Sequence, residues 1–148
     1  MIPGSVNLHG VAVAAGETGL LILGDSGSGK SMLASRMIAD WPFGRVRLVA
    51  DDRVLVSRAV DRLVARPHPA IAGRIEVRGL GIVEAPALEA VVLRLAVRLE
   101  PDPPSRLPEE VLPVEEVLGI GLPCAWLPVS EPAYARLLTI WSYMMRCT

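Results

Sequence analysis

An α/β fold with a mixed β-sheet and few helices is what this sequence predicts, and three observations carry the prediction. Short apolar runs bounded by turn residues recur along most of the chain. Helical periodicity is confined to one early stretch and one near the end, and a glycine-rich loop stands between an apolar run and the first helical stretch.

The elements follow in order. Val11 to Ala14 and Leu20 to Leu23 are apolar runs separated by Gly16-Glu17-Thr18-Gly19, a turn signal between two strands. Beyond the glycine loop, Ser31 to Asp40 places Met32, Leu33, Ala34, Met37 and Ile38 at helical spacing, and Trp41-Pro42 ends the helix. Val46 to Ala50 and Val54 to Val56 read as strands flanking Asp51-Asp52-Arg53, with a further strand at Arg62 to Ala65. Ala90 to Leu99 alternates, Leu93, Leu95, Val97 and Leu99 against Arg94 and Arg98, which predicts a strand with one wet face. Pro101 to Pro108 reads as a loop. A strand is expected around Ala125 to Val129, and Ser130-Glu131-Pro132 suits the N-cap of a last helix running to about Met144.

The chain has 148 residues, 51% apolar and 21% charged, so residues 1–148 are expected to form one domain with a packed core. A formal net charge of −1 and the lack of a Lys/Arg-rich run suggest neither nucleic acid nor an anionic membrane surface as partner. Cys124 and Cys147 have no metal-ligand or disulfide-framework spacing, which fits inert thiols in a reducing compartment. No apolar run is long enough to span a bilayer, and the N-terminus has no leader pattern, so a cytoplasmic location is expected.

Gly24-Asp25-Ser26-Gly27-Ser28-Gly29-Lys30-Ser31 fits G-x-x-x-x-G-K-[ST] at every fixed position, between an expected strand and helix. Glycines let backbone N–H groups converge on phosphate oxygens, and the helix N-terminus adds partial positive charge. Lys30 would reach the β and γ phosphates of a nucleoside triphosphate such as ATP, and Ser31 would ligate Mg²⁺. The loop alone does not choose between hydrolase, kinase and switch. Asp51-Asp52 at a strand end supplies carboxylates for a general base, for a Mg²⁺ site or for a turn.

Four blocks in a fixed order resemble the C-terminal catalytic domain of the bacterial HPr kinase/phosphorylase family. They are His9-Gly10-Val11, the loop Gly24 to Ser31, Ala50-Asp51-Asp52-Arg53-Val54, and Ile75-Glu76-Val77-Arg78-Gly79-Leu80-Gly81-Ile82. The last is similar to the family's Glu-x-Arg-Gly-Leu-Gly-Ile signature, and the blocks cover a little over half of the chain.

The resemblance implies a P-loop kinase-like domain that uses ATP and Mg²⁺ to phosphorylate a serine of HPr or an HPr-like phosphocarrier, working as a homo-oligomer, in the family a hexamer. It implies that Asp52 is the base for the acceptor serine, that His9 stands beside it, and that Ser31 and Glu76 are Mg²⁺ ligands. Arg106, in Ser105-Arg106-Leu107-Pro108, matches the family's catalytic arginine. Arg78 could contact phosphate or HPr, with Gly79 and Gly81 letting the backbone bend there. A nucleotide-binding sensor without kinase activity and a small-metabolite kinase are the rival readings.

Three departures from the family stand out. The N-terminal domain of full-length members is expected to be absent. Glu84 to Glu89 replaces a longer Gly-rich loop. The family's Pro-Val-Lys-x-Gly-Arg segment, tied to phosphorolysis, reads Pro128-Val129-Ser130-Glu131-Pro132-Ala133. Without those basic residues, phosphorolysis is expected to be weak.

Overall fold

Tight two-residue turns and short apolar runs fold the first part of the chain into hairpins. Val11–Ala15 (β2) and Thr18–Gly24 (β3) pair antiparallel, with Ala15 opposite Thr18 across Gly16-Glu17. The computed structural model describes residues 4–101, 114–129 and 133–146. The remaining strands are Val6–His9 (β1), Val46–Ala50 (β4), Arg53–Ala59 (β5), Arg62–Pro67 (β6), Arg74–Val77 (β7), Gly81–Glu84 (β8), Val91–Glu100 (β9), Val114–Val117 (β10) and Ile120–Pro128 (β11). Two α-helices, Lys30–Asp40 (α1) and Ala133–Arg146 (α2), and a 3₁₀ turn at Pro69–Ile71 complete the described residues.

The large sheet has the order β1-β5-β6-β9-β3-β2-β4, with β11 also on β9 and β10 beyond β11. It is mixed, because β9 runs parallel to β3 and β11 but antiparallel to β6. The β7–β8 hairpin stands apart as a second, two-stranded sheet. The expected α/β class with a mixed sheet and few helices is therefore what the chain adopts.

The core lies on both faces of the sheet. On one, Leu20, Ile22, Leu95 and Val97 meet Leu33 and Met37 of α1 and Leu137 of α2. Trp41 closes this layer at the end of α1, edge-on to Trp141 with ring centroids 5.2 Å apart. On the other face, Ala12, Ala14, Leu21 and Val49 meet Val54, Val56, Leu63 and Ala65, so β5 and β6 fold back across the strands they follow.

That fold-back corrects the expectation of one wet face on β9. Leu93 and Leu95 belong to opposite core layers, because the register with β3 shifts between Gly19–Leu93 and Leu20–Leu95. Such a shift turns the following side chains to the other face. β6 pairs with residues 91–93 and β11 with 96–100, and Arg98, expected in water, is half-buried with its Nη2 2.8 Å from Glu115 Oε1.

Elsewhere α1 begins at Lys30 and ends at the expected Trp41, β11 starts earlier than expected at Ile120, and α2 extends to Arg146. Strands β1, β7, β8 and β10 were not anticipated. The expected cap at Ser130 to Pro132, most of the loop Pro101 to Pro108, and Cys147 lie outside the described residues. No described helix is long and apolar enough to cross a membrane.

Candidate active site

The parallel trio β3, β9 and β11 ends on one edge of the sheet, with Gly24 opposite Leu99 and Glu100 opposite Pro128. The carboxyl edge of parallel strands is where α/β sheets hold ligands. From Gly24 the chain turns through the glycine loop into α1. Its N-cap, Gly29, has φ 101°, a left-handed conformation costly for any residue with a Cβ. Helical bonding begins at once, with Leu33 N–H donating to Gly29 O at 2.9 Å. No acidic residue occupies the first turn of α1, so the positive end of the helix dipole is left uncompensated for an anion.

Lys30 is buried, at 7% exposure. Its Nζ donates to Gly24 O at 3.0 Å and Asp25 O at 2.9 Å, which keeps the cation inside the loop. Ser28 Oγ is the buried side-chain polar atom without a hydrogen-bond partner among the described residues. An orphaned hydroxyl in a phosphate-type loop is a group that a ligand oxygen can satisfy.

Strand β4 delivers the carboxylates. Asp51 follows the buried Val49 and Ala50 and is itself buried. Both its oxygens are used: Ser31 Oγ donates to Oδ1 at 2.6 Å, and the Glu76 backbone N–H donates to Oδ2 at 3.0 Å. One side chain thus links the start of α1 to the β7–β8 hairpin. Asp52 turns outward at φ 69°, a left-handed conformation that Asp tolerates better than most residues. Its Oδ1 lies 3.3 Å from His9 Nδ1, and His9 Nε2 lies 3.4 Å from Ser26 Oγ.

His9, Ser26, Lys30, Ser31, Asp52, Glu76 and Arg78 are among the residues that line one cleft of about 330 Å³. Of the expected site residues, the cleft brings together His9 from the end of β1, Ser26, Gly27 and Gly29 of the loop, Lys30 and Ser31 from α1, Asp52 from the β4–β5 turn and Glu76 from β7, while Gly24, Asp25 and Ser28 of the loop do not line it. Gly79, at φ 89°, sits in the turn of the β7–β8 hairpin, and Gly81, at φ 93°, opens β8. Arg106 lies outside the described residues.

Asp51 is the site residue that sequence reasoning left without a place. The doublet Asp51-Asp52 was visible, but which carboxylate faces the loop depends on the direction of the chain as it leaves β4. Among the described residues no group of three or more His, Cys, Asp or Glu side chains forms a ready metal cage. The oxygens of Ser31, Asp51 and Glu76 are hard donors of the kind Mg²⁺ takes alongside substrate phosphates, so the residues present fit that ion. A larger cavity of about 470 Å³ lies at the far end of α1, walled by Trp41, Phe43 and Trp141. It contains no carboxylate or histidine and is separate from this chemistry.

Comparison with known proteins places these features in a lineage. Residues 2–133 match the family model described as the HPr Serine kinase C-terminal domain. The chain is 37% identical over 137 residues to an HPr kinase/phosphorylase of Aromatoleum aromaticum, covering 84% of this chain and 42% of that protein. To an HPr kinase/phosphorylase of Clostridium tetani it is 42% identical over 81 residues, or 55% of this chain and 25% of that protein. The chain thus spans less than half the length of these relatives. In fold it is similar to the HPr(Ser) kinase/phosphatase from Coxiella burnetii, with a TM-score of 0.78 at 20% identity over 96% of this chain and 98% of that one.

Proposed function

The chain belongs to the HPr serine kinase C-terminal domain family, and from that premise we propose that it transfers the γ-phosphoryl group of ATP to a serine hydroxyl of HPr or an HPr-like carrier. The observation that carries the proposal is the His9–Asp52 pair, 3.3 Å apart, in the cleft that also holds Lys30. Phosphoryl transfer to a hydroxyl needs a base beside the acceptor and a cation at the phosphates, and the cleft offers both.

In this reading Asp52 accepts the proton of the serine hydroxyl, while His9 holds the carboxylate toward the cleft. Lys30 exchanges the carbonyls of Gly24 and Asp25 for phosphate oxygens, and the loop N–H groups and Ser28 receive the rest of the anion. Ser31 and Glu76 would hold Mg²⁺, with Asp51 keeping the Ser31 hydroxyl in place. Bound there, the ion would neutralise charge on the phosphates. Arg106 belongs to the same proposal as a further cation. The reading takes residues 1–148 as one catalytic domain acting as a cytoplasmic homo-oligomer.

The test is incubation with labelled ATP, Mg²⁺ and purified HPr beside a panel of hydroxylated metabolites. Label on an HPr serine is expected. Label on a metabolite alone would make the protein a small-molecule kinase, and nucleotide binding with no acceptor labelled would make it a sensor.

A further inference from the structure

Aromatic residues are few in this chain, and most of them meet at one place. The sequence has three tryptophans, two tyrosines and one phenylalanine. Trp41 stands edge-on to Phe43, Tyr134 and Trp141, with ring centroids 5.4, 6.1 and 5.2 Å away. Such edge-to-face contacts fix the rings against one another. Trp41 and Trp141 are buried, whereas Phe43 keeps 52% of its surface exposed.

Trp41, Phe43 and Trp141 wall the cavity of about 470 Å³ at the far end of α1. That volume falls in the range of small-molecule sites, about 300–1,000 Å³, which are mostly apolar with a few placed polar groups. The frame is held by backbone: Gly16 N–H donates to Arg45 O at 3.0 Å and Ala15 pairs with Val46, so the β2–β3 turn and the entry to β4 form one rigid side. The polar side chains are those of Thr18, Ser142 and Arg45. Ser142 Oγ donates to Leu138 O at 3.0 Å and keeps its lone pairs for a ligand. A protein is the poorer occupant. A stable interface covers about 800 Å² on each side, and Phe43 is the one exposed large hydrophobe among the described lining residues.

Charge narrows the ligand further. Arg45 is the one ionisable side chain among the described residues that line the cavity, and Glu17, next to Gly16 in the turn, does not line it. The C-terminal end of α1 is close by, and its partial negative charge opposes an anion. Two of its last carbonyls are already engaged, Met37 O by Trp41 N–H at 3.1 Å and Asp40 O by Tyr134 O–H at 3.0 Å. A helix end amounts to about half a charge, whereas a guanidinium carries a whole one in a fork that fits an oxyanion. The balance favours an acid.

We infer that this cavity binds a small aromatic acid, a planar ring against Phe43 with its anionic group on Arg45. The site lies at the other end of α1 from Lys30, and the 11 residues of that helix hold the two about 16 Å apart. Nucleotide and aromatic acid therefore occupy separate places, and the cavity can be filled whether or not the cleft transfers phosphate.

The probes are anilinonaphthalene sulfonate, a fluorescent aromatic acid, and phenylnaphthylamine, which has the same rings and no charge. Binding of each to the full chain is read by fluorescence for wild type, Arg45→Gln and Phe43→Ala, with and without saturating ATP and Mg²⁺. Arg45 and Phe43 are exposed, so both variants should fold. Arg45→Gln is expected to weaken the sulfonate about fivefold or more and to leave the neutral probe within about twofold. Phe43→Ala should weaken both about fivefold, and ATP should leave the Kd of the sulfonate within about twofold. Sulfonate binding that neither variant weakens overturns the inference, as does its displacement by ATP. Equal loss of both probes in Arg45→Gln takes the acid out of the ligand and also overturns it. A change of oligomeric mass in Phe43→Ala would assign the cavity to a second copy of the chain, with the same consequence.

Discussion

Lys30 and Asp52 act at the smallest scale, through single atoms. Lys30 Nζ now rests on two loop carbonyls. In the proposed mechanism it trades them for phosphate oxygens, so Lys30→Ala removes the main protein cation at the transferred group. Turnover with ATP and HPr should fall by about 10²-fold or more, comparable to losing an electrostatic stabiliser elsewhere. A variant with near-normal turnover would take Lys30 out of the mechanism. Asp52 is exposed, and among the described residues its side chain meets His9 and not Ser31. Asp52→Asn should therefore leave ATP and Mg²⁺ affinity nearly intact while transfer drops by about 10²- to 10⁴-fold, the range for a lost general base. Calorimetric titration of nucleotide and a transfer assay separate the two. An equal loss in both would make Asp52 a metal ligand.

At the scale of elements, the junction of β3 with β9 tolerates no side chain. A Cβ on Gly19 would sit 2.4 Å from Val92 O and 2.9 Å from Val91 Cγ1. Gly19→Ala must push apart two paired strands at the point where the register shifts, and it should cost about 1–3 kcal/mol of stability. A urea midpoint that does not move would show that the strands can part freely. On β11, burial pushes the Cys124 thiol up from 9.0 to about 11, with Glu115 adding to the shift and Arg98 opposing it. The unfolded thiol loses its proton near pH 9 while the folded one keeps it, so stability is fully present below pH 9 and falls as pH rises toward about 11. Two pKa units correspond to about 3 kcal/mol. The denaturation midpoint of wild type should decline more steeply from pH 8 to 11 than that of Cys124→Ala. Parallel declines would refute this.

For the whole molecule, the arrangement of strands bears on the direction of the reaction. Because β3, β9 and β11 run parallel, the chain leaves β11 after Pro128 at the same sheet edge as Gly24, two strand spacings or about 10 Å away. The segment that carries Lys and Arg in the family starts there, and in this chain it holds Ser130, Glu131 and Ala133 instead. Phosphorolysis brings inorganic phosphate against a phosphoserine, two anions in one site, and needs added cations to offset their repulsion. The forward reaction is expected to proceed and the reverse to be much slower. Phosphoserine-HPr incubated with the protein, Mg²⁺ and phosphate should release little pyrophosphate, and release at a rate near that of the forward reaction would sink the expectation.

Local signals in the chain determined the glycine loop and its lysine, the strand before it, the helix after it, and the class of the fold. Each rests on neighbours in sequence: a turn needs its glycine, a helix its spacing, a phosphate loop its run of N–H groups. The signature Ile75 to Ile82 and the doublet Asp51-Asp52 were also legible as residues that belong to a site. Only the tertiary structure decided that Asp51 turns inward to Ser31 while Asp52 turns out to His9, since two adjacent carboxylates are equivalent until the backbone leaves β4 with Asp52 at φ 69°. It also decided that β9 faces two cores. The alternation of Leu93 and Leu95 reads as one face until pairing with β3 slips by a residue, and pairing is a property of strands distant in sequence.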